Sequence, residues 1–193
     1  MGTKRLRAIL IVTILLHFFT ANYLFSQKTV IKSNIPYWAT ATPNAALELG
    51  LSKKLTLDIA YGVNPFTFKE GRTWKHWLAQ TEVRYWPYKC FSEHFLGLHV
   101  GASEYSLNKI KIPTVTDARN FRYEGWAFMG GISYGYSWTL GEHWNVEATL
   151  GLGLMYIDYN KYECAECGRQ LEEDNKLFFA PTRAAINIVY ILK

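Results

Sequence analysis

The sequence predicts an all-β fold, an eight-stranded antiparallel up-and-down β-barrel, and three observations predict it. Apolar and polar residues alternate with period two through most of the chain, connections alternate between short and long, and composition is rich in aromatics and poor in charge. Of 193 residues, 16% are aromatic and 19% charged, against roughly 25% charged in ordinary globular domains.

The first residues set the compartment. Lys4, Arg5 and Arg7 precede an apolar run over residues 8–19, broken only by Thr13 and His17. A basic start and an apolar run of about a dozen residues read as a secretory signal, since a spanning helix needs roughly 20. Ala21, Ser26 and Gln27 supply small or polar residues for cleavage near Ser26. That gives a signal peptide over residues 1–26 and one barrel domain over 27–193, with a retained anchor helix as the alternative. The signal holds three of the 21 basic residues and no acidic ones, leaving 18 basic against 16 acidic. Near-neutral charge without a Lys/Arg cluster, together with export, excludes nucleic acid as a partner.

The strands follow in order. A first is expected around residues 29–37, although Pro36 and Pro43 interrupt the pattern and Pro cannot donate to a ladder. Leu47, Leu49 and Leu51 alternate with Glu48 and Gly50, Ser52-Lys53-Lys54 turns the chain, and Leu55, Leu57, Ile59, Tyr61 and Val63 alternate with Thr56, Asp58, Ala60 and Gly62. This is a β-hairpin closed by Asn64-Pro65. Trp77, Ala79, Thr81, Val83 and Tyr85 oppose Gln80, Glu82 and Arg84; after a turn over residues 87–93, Leu96, Leu98, Val100 and Ala102 oppose Gly97, His99, Gly101 and Ser103. Beyond a polar segment over 108–120, Trp126 to Trp138 and Val146 to Tyr156 repeat the design around a tight turn at 140–142. The last strand sets Ala184, Ile186, Ile188, Tyr190 and Leu192 against Arg183, Ala185 and Asn187.

Alternate side chains occupy opposite faces of a strand, so each strand has one apolar stripe and one small or polar stripe. Short turns at one end and longer loops at the other, with excess Tyr and Trp for interfacial girdles, are features of transmembrane barrels. The expectation is therefore an outer-membrane barrel in contact with outer-membrane lipid, its apolar stripe outward. Eight strands leave a lumen filled by side chains, which disfavours a pore.

On that reading Asp58, Glu82, Arg84, His99, Glu147 and Arg183 face inward and form a polar network, because buried charges must pair. The sharper alternative takes His99 with Glu82 or Glu147 as the acid/base pair of a membrane-embedded envelope-modifying hydrolase or acyltransferase. Ser103 and Ser133 share that face, but no motif surrounds them to mark a nucleophile. Trp74-Lys75-His76-Trp77 reads as interfacial aromatics, with a ligand platform as the alternative. Lys109, Lys111 and Arg119 suit contact with anionic headgroups or a solvated loop.

Cys164-Ala165-Glu166-Cys167 supplies two thiols in the last long loop, while a structural zinc site needs four ligands. Export supports a loop-stapling disulfide, with free thiols or a metal site as alternatives. Cys90 is the odd cysteine and reads as a free thiol or an intermolecular partner. No cofactor, metal, catalytic residue or small-molecule substrate is assigned.

Several segments carry a resemblance: residues 44–58 (NAALELGLSKKLTLD), Trp74-Lys75-His76-Trp77, residues 82–86 (EVRYW), 95–99 (FLGLH), 130–136 (GGISYGY) and 162–168 (YECAECG). Together they resemble DUF3575, a family of uncharacterised Bacteroidetes proteins, over nearly the whole mature chain. The resemblance implies a small outer-membrane-type barrel associated with fimbria or surface-structure genes, and supplies no catalytic residue. The expected function is a non-enzymatic structural or surface-interaction barrel, with a fimbrial or other surface protein as partner. A lipocalin-like exported binder is a further alternative and requires the opposite burial, with the apolar stripe inside.

Overall fold

The computed structural model describes residues 28–68, 72–108, 121–163 and 168–192. The expected signal peptide over 1–26, the Cys164/Cys167 pair and the basic side chains of 109–120 lie outside the described residues.

Eight strands form one antiparallel sheet: β1 (Thr29–Asn34), β2 (Asn44–Gly50), β3 (Leu55–Asn64), β4 (Thr73–Tyr85), β5 (Glu93–Asn108), β6 (Arg122–Thr139), β7 (Trp144–Tyr162) and β8 (Gln170–Leu192). Each pairs with its successor, and β8 pairs with β1 from Thr29↔Leu192 to Asn34↔Asn187, closing the sheet into a ring. Closure requires stagger. Followed from partner to partner, Asn44 on β2 leads through Gly62, Leu78, Ser103, Ala127 and Ile157 to Lys176 on β8, far along that strand from Asn187.

The connections over 51–54, 86–92 and 140–143 lie at one end of the ring, here the turn end; the 35–43 connection and the strand ends at Asn64, Thr73, Asn108, Arg122, Tyr162 and Gln170 lie at the other, the loop end. The expected first strand stops at Asn34, short of Tyr37, and a helical turn α1 (Ile35–Ala39) follows. Pro36 explains the change, because its fixed φ and missing N–H fit the first turn of a helix better than a ladder. Asn34 and Asn44 close the turn reciprocally: the Asn34 N–H donates to Asn44 Oδ1 at 2.6 Å, and Asn44 Nδ2 donates to the Asn34 carbonyl at 3.0 Å.

Strand length grows around the ring, from 6 residues in β1 to 23 in β8. Only the part near the turn end is therefore a complete eight-stranded ring. Strands β5–β8 continue past it as a tall wall, and β8 begins at Gln170, well before the alternation at 183–192 that marks it in the sequence. The polar run Glu172-Glu173-Asp174-Asn175 has no period-two signal and is strand because β7 pairs with it.

The period-two reading fixes the radial order. Leu98, Ile132 and Leu150 on the outer face are 65%, 70% and 58% exposed, while Glu82 and Arg84 on the inner face are fully buried. Ile188 and Leu152 are exposed as well, and Glu147 and Arg183 buried. This is the reverse of a lipocalin-like binder, whose strands put apolar residues around an inner cavity, and it removes that alternative.

Inside the ring the side chains form layers. At the turn end Trp86, Phe91, Phe95, Val30 and Val189 are buried, with the Trp86 and Phe95 rings 4.7 Å apart. Small residues make room for large ones: a Cβ at Gly135 would strike the Phe95 ring. Phe91 reaches this layer from the connecting turn, where it adopts φ 65°. Its carbonyl accepts from Asn145 Nδ2 at 2.6 Å. The middle layer is ionic. At the loop end Leu107, Tyr123 and Tyr159 pack with Tyr105, Phe121 and Ile157.

Candidate functional site

The ionic layer is where chemistry is concentrated. β2 contributes Glu48, β3 Asp58, β4 Glu82 and Arg84, β7 Glu147, and β8 Arg183, each on the inner stripe of its strand. β1 adds Lys32. Because register is continuous, these residues meet: Glu48 faces Asp58, and Asp58 faces Glu82.

Arg84 is the hub. Its Nε donates to Glu82 Oε2 at 2.6 Å, and its Nη1 to Glu48 Oε2 at 3.0 Å and Glu147 Oε2 at 2.9 Å. The guanidinium also lies 4.3 Å from the centre of the Phe95 ring, which joins the ionic layer to the aromatic one. Lys32 Nζ sits 2.8 Å from Asp58 Oδ2 and 3.3 Å from Glu147 Oε2, and it pairs with Glu48. Arg183 Nη2 donates to Asp58 Oδ1 at 2.6 Å. Hydroxyl and amide groups complete the carboxylates: Thr56 donates to Glu48, Ser133 to Glu82, and Asn187 Nδ2 to Glu147 Oε1 at 3.0 Å.

Three cations among four carboxylates, all buried, hold together only as a network, since each group alone would carry a heavy desolvation cost. A planar guanidinium suits the hub because it presents donors in several directions at once. The arrangement pins five strands, β1, β2, β3, β4 and β7, to one another and to β8.

Five of the six residues expected in the interior network are joined by ion pairs, and the sixth is differently placed. His99 lies opposite Glu82 in register, but its Nε2 meets Thr182 Oγ1 at 2.8 Å. Among the described residues its Nδ1 has no hydrogen-bond partner, and no carboxylate there orients the ring as an acid/base pair requires. Thr182 reaches His99 because a bulge in β8 turns both Thr182 and Arg183 inward, an irregularity invisible to a strict alternation. The residues the sequence reading left out are Lys32 and Glu48. Glu48 stood plainly between Leu47 and Leu49; Lys32 was masked by the prolines that follow.

The aromatic segment of β4 divides between faces. Trp74 pairs with the His76 ring on one side, while Trp77 on the other donates its Nε1 to Glu104 Oε2 at 3.0 Å and packs edge-on against Trp126 at 5.5 Å. The two indoles therefore do not share one platform. Cys90 is a free thiol in the 86–92 turn. Its Sγ donates to the Lys53 carbonyl at 3.2 Å, and burial, reinforced by the charge of Glu48, pushes its pKa up to about 11.

The architecture puts the chain in a class, all-β proteins whose eight antiparallel strands close in one ring around a sealed ionic interior. Within that class the chain belongs to a particular family: the model described as "Protein of unknown function (DUF3575)" matches residues 9–192. Neither a curated protein nor a solved structure matches it.

Proposed function

We propose that this protein is an outer-membrane β-barrel with a non-enzymatic structural or surface-interaction role, delivered by a signal peptide over residues 1–26. The observation that carries the reading is the radial order: large apolar side chains cover the outside of the ring, and the charges are sealed within it. Burying apolar surface is what water favours, so a face of this kind calls for a hydrocarbon surrounding. Aromatic residues mark both limits of the apolar zone. Tyr85, Trp138, Trp144 and Tyr190 lie towards the turn end, and Tyr61, Trp77, Trp126 and Tyr156 towards the loop end, as interfacial girdles do. Beyond the second limit the outer face turns polar, with Glu124, Asp158 and Glu173. The filled lumen favours anchoring over conduction, and the family resemblance adds an association with fimbria or envelope assembly.

Fractionation with heat-modifiable gel migration tests this. The protein is expected in the outer-membrane fraction, migrating faster unheated than boiled; recovery in the soluble exported fraction would overturn the reading. The enzyme alternative takes His99 with an inward carboxylate, Glu82 or Glu147. It requires His99→Gln to abolish an envelope modification, and an unchanged envelope lipid profile on deleting the gene counts against it.

A further inference from the structure

Among the described residues, the first 14 residues of β8 have a neighbouring strand on one side only. β7 pairs with β8 as far as Gln170, while β1 reaches no further than Asn187. Just beyond β1, the Asn34 side chain stands in for a strand: its Oδ1 accepts from the Ile186 N–H at 3.1 Å, and its Nδ2 donates to the Ala184 carbonyl at 3.3 Å. α1 contacts β8, and its Tyr37 lines one small cavity with Arg183, Ala184 and Ala185. From Pro181 back to Gln170 no strand among the described residues lies beside the edge. This stretch is also uncovered on its faces: Leu177 and Phe179 on the outer face are 65% and 68% exposed, and Phe178 on the inner face is 41% exposed.

We propose that this edge of β8 is a docking site for an extended segment of another exported protein, which adds to the sheet as a strand. A row of unpaired N–H and C=O groups is a template for strand addition, and main-chain hydrogen bonds would supply the affinity. Side chains set the preference. The segment lies apolar against Leu177, Phe178 and Phe179, and basic against Glu172, Glu173 and Asp174.

The membrane reading, on which the next step rests, says why the occupant is a strand. From Phe179, which pairs with Leu154, to Pro181, which pairs with Leu152, the edge lies on the apolar side of the limit that Tyr156 marks. Unpaired backbone at that depth has no water to bond, and only another backbone supplies donors and acceptors at the right interval. It also says why the occupant is not a second copy: antiparallel β8–β8 pairing would place the two barrels upside down to one another in the bilayer. The lower limit of the site is Pro181. A proline fits a paired strand when its nitrogen faces the free edge, and Phe179, two residues away, faces the same side.

The test uses the folded full-length mature protein in detergent and a labelled synthetic peptide of about twelve residues, alternating threonine and valine followed by three lysines, so that antiparallel addition sets the lysines against Glu172, Glu173 and Asp174. Binding is expected to slow amide exchange within residues 170–180. Phe179→Pro removes an edge donor without touching the β7 ladder, and the combination Glu172→Lys, Glu173→Lys and Asp174→Lys reverses the charge. Each is expected to weaken binding about tenfold or more while heat-modifiable migration is retained. A peptide N-methylated at alternate residues should not bind. Equal binding of the methylated peptide, absence of protection at 170–180, or a doubled mass from self-pairing through β8 overturns the proposal. Because the measurement is made in detergent, it reads the edge directly, while fractionation separately decides the membrane reading.

Discussion

The ring near the turn end and the wall above it are built from the same strands under opposite rules. In the ring every strand has two neighbours, the lumen is layered with aromatic and ionic groups, and Arg84 donates hydrogen bonds to three carboxylates. In the wall, β8 has one neighbour and exposes large apolar residues on both faces. The difference separates stability from availability. Side chains that interlock across the lumen make the ring resistant to local change, whereas the wall, held by ladder bonds to β7, leaves backbone and side chains free to meet something else.

The largest expected effect breaks the ring at its hub. Arg84→Met leaves Glu48, Glu82 and Glu147 buried without their shared donor, and removal of one partner from a buried ionic network costs about 3–5 kcal/mol. A matching fall in the denaturant midpoint of the refolded protein measures it. A stability unchanged by Arg84→Met would mean that Lys32 and Arg183 suffice, and the hub description would fail.

Packing comes next. Gly135→Val pushes a branched side chain against the Phe95 ring and the Ala148 carbonyl, and overpacking of this kind costs about 1–3 kcal/mol. Trp86→Phe is milder. It keeps an aromatic ring in the turn-end layer but removes the Nε1–H that donates to Thr56 Oγ1 at 2.9 Å, a loss of about 1 kcal/mol. Both are read by urea titration of the detergent-refolded protein. The wall supplies the contrast: Leu171→Ser, on its exposed outer face, should change stability by no more than about 0.5 kcal/mol. A large loss there would show that the wall contributes to the core, and the division between the two regions would collapse.

The sequence made the ring more legible than the wall, for a physical reason. Strict alternation is imposed where one face is covered and the other is not, so the stretches at 55–63, 96–103 and 146–156 announced both their strands and their inner residues. Asp58, Glu82, Arg84, Glu147 and Arg183 could be named as a network from that periodicity alone. Where neither face is covered, no alternation is selected, and β8 from Gln170 to Asn175 read as loop. Local chemistry hid the remainder. Pro36 disguised the end of β1 and with it Lys32, while the bulge that brings Thr182 to His99 belongs to a pairing that no single strand displays.

The smallest effect concerns the rim below the ring, where Cys90 sits among backbone carbonyls. With a pKa of about 11 the thiol stays protonated through the physiological range. Since the thiolate is the nucleophile, at pH 8 its reactive fraction is about a hundredfold below that of an ordinary exposed cysteine. Alkylation of the folded protein by iodoacetamide should therefore be slow at pH 8 and rise with pH until close to 11, whereas the unfolded chain reacts as an ordinary thiol. Cys164 and Cys167 are replaced by serine so that one thiol is counted. Stability should be almost unaffected by Cys90→Ser, which keeps a donor for the Lys53 carbonyl. If the folded protein reacted as fast as the unfolded one, the 86–92 turn would be opening readily. The interlocked ring would then stop short of its own turn end, and the contrast with the wall would have to be drawn within the layers of the lumen.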